Sequence, residues 1–423
     1  MEVVSERAVG DRLQALGRSR PRIVVSGNFA TPGRLLQLAA ASFDELCFFV
    51  LNPHGPWPSH PGAVIETPFV GPGVRGDPRT EYLPMRLSLV PRLFDALRPP
   101  DVVLVQTSVP HRGKVSLGIE VNILPAAIER VRQRQGLVVA ELNPCMPYTR
   151  GDGELELDAV DVAIEAEAEL PSPTPRPGDD AAEVIGERVA RYAVDGGTVQ
   201  LGIGELPDAV AKSLSRNRGL GVWSEMVSDG VVGLERAGAL DPGRDISASF
   251  LFGSPEVYEW ARTSPRLVMR RTEVLNDPGR IARQPGMLAV NTALQVDLFA
   301  QANASTVGGR VYSGFGGQPD FVVGALHSKG GHAVIALRSC HAPTDASTVV
   351  PLLQTPVSTF QHSVVVTDTG EAEIFGQTQH DQAELLVERA ADPRARPWLR
   401  DAAARLGIGR PSGRPRGTAV VTE

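Results

Sequence analysis

The stretch Val199-Gln200-Leu201-Gly202-Ile203-Gly204-Glu205-Leu206-Pro207-Asp208-Ala209-Val210 runs an apolar strand into a glycine-rich turn and out into a helix. Such a turn brings backbone N–H groups and a helix N-terminus close to an anionic or carbonyl ligand. It is not a dinucleotide fingerprint, because Pro207 stands where a third glycine would be required. Proline suits the first turn of a helix and implies a different ligand geometry. Strand, turn and helix in that order are the unit from which parallel α/β sheets are built.

The rest of the chain repeats the pattern. In the first half, strands are expected at 22–26, 46–51, 102–106 and 137–142, with helices over 34–41 and 124–135. Val102-Val103-Leu104-Val105 is apolar throughout, as expected of a strand covered on both faces. The acidic run 152–169 reads as a solvated helix face or as the approach to a linker. Between 171 and 180 proline alternates with small or polar residues, which predicts a semi-rigid connection. A helix over 181–194 follows, with Asp195-Gly196-Gly197 as its stop. The expected organisation is an N-terminal α/β domain (1–170), a linker (171–180) and a C-terminal α/β domain (181–423).

The chain has 423 residues, more than one hydrophobic core normally supports. It is 42% hydrophobic and 22% charged, which excludes disordered, collagen-like and membrane-embedded classes. A net charge of -7 argues against nucleic acid as a partner. All but three of the 42 basic residues are arginine, the exceptions being Lys114, Lys212 and Lys329. The 3 cysteines (Cys47, Cys145, Cys340) are widely spaced and fit neither a disulfide framework nor a zinc site, so a cytoplasmic setting is expected. No run reaches the roughly 18 apolar residues of a membrane span.

Two further segments could carry chemistry. In Gly219-Leu220-Gly221-Val222-Trp223-Ser224-Glu225-Met226 a second strand ends at Ser224-Glu225, before a turn and a helix over 231–237. Ligands of open parallel sheets bind at the carboxyl ends of strands, so Glu225 would share a crevice with Gly202 and Gly204 if the two strands are neighbours. A carboxylate there can serve as base, metal ligand or nucleophile, or simply cap or pair. The third segment is Val311-Tyr312-Ser313-Gly314-Phe315-Gly316-Gly317-Gln318-Pro319-Asp320, whose glycines imply a backbone passing something closely. His327 and His332 lack neighbouring Cys or Asp, so no metal site is expected. No Gly-x-Ser-x-Gly elbow is present.

Together and in this order, these segments resemble the acetyl-CoA hydrolase/transferase family of class I CoA-transferases. The resemblance covers roughly residues 20 to 405. It includes Gln106-Thr107-Ser108-Val109-Pro110, Ser116-Leu117-Gly118, Asn143-Pro144-Cys145-Met146-Pro147 and Asn291-Thr292-Ala293-Leu294-Gln295-Val296-Asp297, and is most specific from Ser313 to Asp320.

The resemblance implies two similar, open, mostly parallel sheets flanked by helices. It implies a CoA-transferase that moves CoA between short-chain carboxylic acids through acyl-glutamyl anhydride and glutamyl-CoA thioester intermediates. An acyl-CoA hydrolase, or a catalytically weak acyl-CoA-binding protein, is the alternative. By the same resemblance Glu225 is the nucleophile, and Leu206 and Gly317 are the oxyanion donors. CoA contacts are implied at Gly202, Ile203, Gly204, Glu205, Leu206, Pro207, Leu294, Ser313, Gly316, Gly317 and Lys329, with Lys329 facing phosphate. Coenzyme A enters as acyl-CoA substrate, with no metal or redox cofactor, and a homodimer is expected. The chain departs from the family's pattern at Thr367-Asp368-Thr369-Gly370, at Gln361 or His362, at Gln295 and at His111.

Overall fold

Val102, Val103, Leu104 and Val105 are all fully buried, and they alternate between two cores: Val103 and Val105 face one, Val102 and Leu104 the other. That is what a strand covered by helices on both faces requires. The computed structural model describes residues 1–173, 178–355, 357 and 361–409. Residues 174–177, the centre of the expected linker, lie outside the described residues.

The strand Val102–Thr107 is central in an eight-stranded sheet that is parallel throughout. Its order is Glu2–Val3, Val162–Glu165, Leu137–Leu142, Val102–Thr107, Arg22–Val25, Leu46–Val50, Ala63–Thr67 and Thr80–Tyr82. Helix Leu124–Gln133 packs on it through Leu124, Ala127, Ile128 and Val131, the spacing of one helical face.

A second sheet of nine strands runs Glu371–Glu373, Val364–Val366, His332–Ala336, Met287–Thr292, Thr198–Gln200, Gly221–Trp223, Ile246–Ala248, Leu267–Met269 and Arg150–Gly151. Only the Glu371–Glu373 edge is antiparallel. The first half of the chain thus lends Arg150–Gly151 to the outer edge of the second sheet. The chain is therefore α/β, with two large, mostly parallel sheets and flanking helices, as expected.

One expectation is overturned. The run 152–169 is not a helix face: it forms Glu154–Glu156, a short turn of helix and Val162–Glu165. Val162, Ala163 and Ile164 are buried inside the first sheet. The acidic residues flanking them mask an apolar run long enough for a strand but too short for a helix.

The two halves are stitched along one seam. Val121 N–H donates to the Ser249 carbonyl (2.9 Å) and Leu251 N–H to that of Ile119 (2.9 Å). The buried Asp320 accepts from Arg86 Nε (2.9 Å), Ser88 Oγ (2.8 Å) and Ser88 N–H (3.1 Å).

Candidate active site

Glu225 follows strand Gly221–Trp223, which lies parallel to Thr198–Gln200 with Thr198 opposite Gly221. The strands are neighbours, as the shared crevice requires. On the far side of Thr198–Gln200 lies Met287–Thr292, to which the chain returns only after building the sheet outward to Leu267–Met269. Strand order reverses here, and such switch points are where open sheets bind ligands. A cavity of about 380 Å³ opens at this point, with Gln200, Leu201, Gly202, Glu225, Val290 and Asn291 in its wall.

The third segment closes the cavity from above. Ser313, Gly316 and Gly317 line it, and helix Gln318–His327 begins beside it. Gly317 N–H donates to the Glu225 carboxylate, and Asn276 Nδ2 donates to Oε2 at 2.9 Å. A Cβ at Gly317 would lie 1.8 Å from Glu225 Oε2, so glycine is needed there for space; its φ of -86° suits any residue. Gly316 has φ +52°, which favours glycine outright, and its Cα faces the Phe69 ring. The first half holds this loop in place: Val70 N–H bonds the Ser313 carbonyl (2.7 Å) and Leu87 N–H that of Gly316 (3.2 Å).

Burial raises the Glu225 carboxyl from 4.5 to about 7, and the nearby Asp320 charge adds to this; Asn276 and Gly317 pull the other way. With Glu225 as the nucleophile that the resemblance implies, only its ionised form would react, so kcat/KM is expected to fall about tenfold per pH unit below roughly 7. Asp320→Asn removes the charge and should move that limb to lower pH. It should also cost about 2 kcal/mol in urea unfolding by breaking the bonds to Arg86 and Ser88. A pH–rate profile and an unfolding curve check the two effects separately.

The structure sorts the sequence-derived residues. Glu225, Gly202, Ile203, Ser313, Gly316 and Gly317 meet in one cavity. Gly204, Glu205, Leu206, Pro207, Leu294 and Lys329 do not line it. Helix Glu205–Leu214 starts at Glu205, whose carboxylate pairs with Arg338 (2.5 Å) and accepts from Asp179 N–H (3.1 Å). Leu206 packs against the main core and Pro207 is buried in the same helix turn. Leu294 is 40% exposed, and its N–H bonds the Asn303 carbonyl (2.7 Å). Lys329 is exposed and precedes strand His332–Ala336, which places it at the opposite end of the parallel sheet from Glu225. Five residues at roughly 3.3 Å each separate the two ends.

Other residues of the site escaped the sequence reading. Asn276 has no periodic signal; it reaches Glu225 only through the fold. Glu120 had one, a lone acid within Leu117-Gly118-Ile119-Glu120-Val121. It is buried, accepting from Asn28 Nδ2 (2.6 Å) and Asn122 Nδ2 (2.6 Å), and desolvation pushes it up to about 8. His54, also in the cavity wall, is pushed down to about 4 by burial and by Arg75.

The arrangement is a buried carboxylate with one oxygen anchored by Asn276, in the wall of a cavity at the switch point of an α/β sheet and beside a helix N-terminus. Comparison with known proteins gives the family. Residues 253–403 match the acetyl-CoA hydrolase/transferase C-terminal domain. The chain is 37% identical to a 4-hydroxybutyrate coenzyme A transferase of Clostridium kluyveri, over 74% of this chain and 75% of that one. It is 32% identical to a succinyl-CoA:acetate/propanoyl-CoA:succinate CoA transferase of Fasciola hepatica, over 90% and 84%. The solved structure of a 4-hydroxybutyrate CoA-transferase from Porphyromonas gingivalis superposes with a TM-score of 0.78 at 29% identity, covering 96% of this chain and 98% of that one. The chain belongs to the acetyl-CoA hydrolase/transferase family.

Proposed function

We propose that this protein is a CoA-transferase that passes CoA between small carboxylic acids, with Glu225 as nucleophile. The observation that carries the reading is the Glu225 carboxylate. It is held on Oε2 by Asn276 and touched by the Gly317 N–H at the mouth of the switch-point cavity.

In the proposed cycle the Glu225 carboxylate attacks the thioester carbonyl of an acyl-CoA and expels CoA thiolate, leaving an acyl-glutamyl anhydride. The thiolate then attacks the glutamyl carbonyl and releases the first acid as its carboxylate, leaving a glutamyl-CoA thioester. A second carboxylate runs the two steps in reverse and departs as the new acyl-CoA. Each step forms one carbonyl bond and breaks one, so the activation of the thioester is retained throughout. Each tetrahedral oxyanion needs donors in a dry site, and Gly317 N–H is one that the geometry supplies. The resemblance assigns the second donor to the backbone N–H at Leu206, which lies in the first turn of helix Glu205–Leu214; the loop backbone at Gly202 and Ile203, which lines the cavity, is a further candidate.

Borohydride added after an acyl-CoA should reduce a glutamyl-CoA thioester at Glu225 and inactivate the protein; complete resistance across a panel of short acyl-CoAs would sink the reading. The family name also covers hydrolases. Thiol release that needs no added carboxylate acceptor would assign the protein there. On the resemblance alone, the working form is proposed as a cytoplasmic homodimer of chains with two domains divided near 171–180, which sedimentation analysis tests for its oligomeric part.

A further inference from the structure

A groove of about 610 Å³ lies along the seam between the two halves of the chain. The first half lines it with His111, Arg112, Lys114, Tyr148, Arg150 and Glu154, and the second half with segment 261–265 and Leu267. No residue lines both this groove and the Glu225 cavity. Through the register of the second sheet, Leu267 stands level with Ile246 and Val222. That is three residues short of Glu225 and two strands away, roughly 10 Å along the strands and roughly 10 Å across them.

The groove is positive in a negative protein. Its lining carries four cations, Arg112, Lys114, Arg150 and Arg262, against one carboxylate, Glu154, whereas the whole chain carries -7. Glu154 is already engaged, accepting from Tyr148 Oη (2.8 Å) and from Gly151 N–H (3.1 Å). Lys114 pairs with Glu156 (2.9 Å) and Arg262 with Glu259 (3.2 Å), but both pairs are open to water, where an ion pair is worth little. Arg112 and Arg150 have no carboxylate partner among the described residues; Arg150 donates to the Pro265 carbonyl across the seam. Arg112 heads the two-residue turn of a hairpin, in which His111 N–H bonds the Lys114 carbonyl (2.7 Å) and Lys114 N–H that of His111 (3.0 Å). Its φ is +50° and that of Gly113 is +82°. Such a turn favours Asn, Asp or Gly at its first position, so an arginine held there costs free energy. No hydrogen bond from its guanidinium to the described residues offsets that cost.

We propose that this groove binds a phosphate-bearing anion of the diphosphate class, at a site separate from the Glu225 cavity. Guanidinium groups present planar forks of N–H donors that fit phosphate oxygens two at a time, and the lysine adds a point charge. The cations come from three elements: the hairpin, the strand Arg150–Gly151 and the end of helix Pro255–Thr263. A single small anion can neutralise few of them, whereas two linked phosphates carry the charge and the length for more. Arg262 also donates to the Cys145 carbonyl, so an anion shared by Arg112 and Arg262 ties the first half of the chain to the second. The inference goes beyond the transferase reading and does not depend on it.

Titration calorimetry and the thermal midpoint, both at low ionic strength, test this on the full chain with inorganic diphosphate, orthophosphate and ADP as probes. The wild type should bind one diphosphate per chain, more tightly than orthophosphate, with a rise in thermal midpoint that shrinks as salt is added. Arg112→Gly keeps the turn, because glycine adopts the observed φ without cost, and should weaken diphosphate binding at least tenfold. Adding Lys114→Gln should abolish the rise in midpoint. Arg216→Gln removes the same charge from an exposed position outside the groove and should leave the affinity within twofold. ADP bound more tightly than diphosphate assigns the site to a nucleotide; ADP bound no more tightly assigns it to the phosphates alone. No binding by the wild type, or equal losses in Arg112→Gly and Arg216→Gln, would overturn the proposal. So would displacement of diphosphate by CoA at its KM, which would place the probe on the CoA path instead. If the wild type transfers no CoA, it is the transferase reading that fails, and the groove result stands.

Discussion

Glu225→Gln is expected to reduce CoA transfer about ten-thousand-fold while leaving the protein folded and, above neutral pH, more stable than the wild type. The amide oxygen can keep the bonds from Asn276 and Gly317, so the geometry survives. The nucleophile does not. A loss of this size is roughly 5.5 kcal/mol of transition-state stabilisation, typical of removing the group that forms the covalent intermediate.

The stability change follows from the raised carboxyl. A folded value near 7 against 4.5 when unfolded favours the protonated native state. That contribution is full below about pH 4.5 and is lost as pH rises through 7. Above pH 7 the wild type carries a buried charge that costs on the order of 3 kcal/mol, which glutamine does not incur. The difference in thermal midpoint between variant and wild type should therefore widen from pH 5 to pH 8 and then level off. A constant difference across that range would contradict the burial argument even if activity is lost.

Gly317→Ala should cost a hundred- to thousand-fold in kcat, about 3–4 kcal/mol, with little change in stability. The backbone at 317 suits alanine, so the substitution acts only through its methyl group, which is built 1.8 Å from Glu225 Oε2 and 2.3 Å from Asn276 Nδ2. The carboxylate must swing out of line or Asn276 must release it, and a displacement near 1 Å is enough for such a loss. The same methyl also narrows the space where an oxyanion meets the Gly317 N–H. Gly233→Ala is the control. Its Cβ meets nothing within 4 Å in helix Asp229–Arg236, so it should be neutral in activity and stabilising by about 0.5–1 kcal/mol. If both alanines behave alike, crowding at Glu225 is not the cause.

Much of the fold was legible because strand signals are local. The strand Leu137–Leu142 fell where its apolar run placed it, and Arg22–Val25 and Leu46–Val50 ended one residue before the expected limit. The strand Val162–Glu165 was missed because charge on either side outweighed three consecutive apolar residues, Val162, Ala163 and Ile164. At the site, the glycine turns and Glu225 announced themselves because turn chemistry and an acid at a strand end are readable along the chain. Where Lys329 lies relative to Glu225 was not readable along the chain: it follows a helix closely in sequence, and in a parallel sheet the residue before a strand and the residue after one stand at opposite ends.

The sequence alone thus determined the class of sheet, the carboxylate at its rim and the glycines around it, since each depends on neighbours within about a dozen residues. Only the tertiary structure decided what surrounds that carboxylate. Asn276, Asp320, Glu120 and Asn28 come from four separate elements, and they converge because strand order reverses beside Thr198–Gln200 and the two halves of the chain are hydrogen-bonded along one seam. Such convergence is set by the pairing of distant strands, and no periodicity along the chain encodes it.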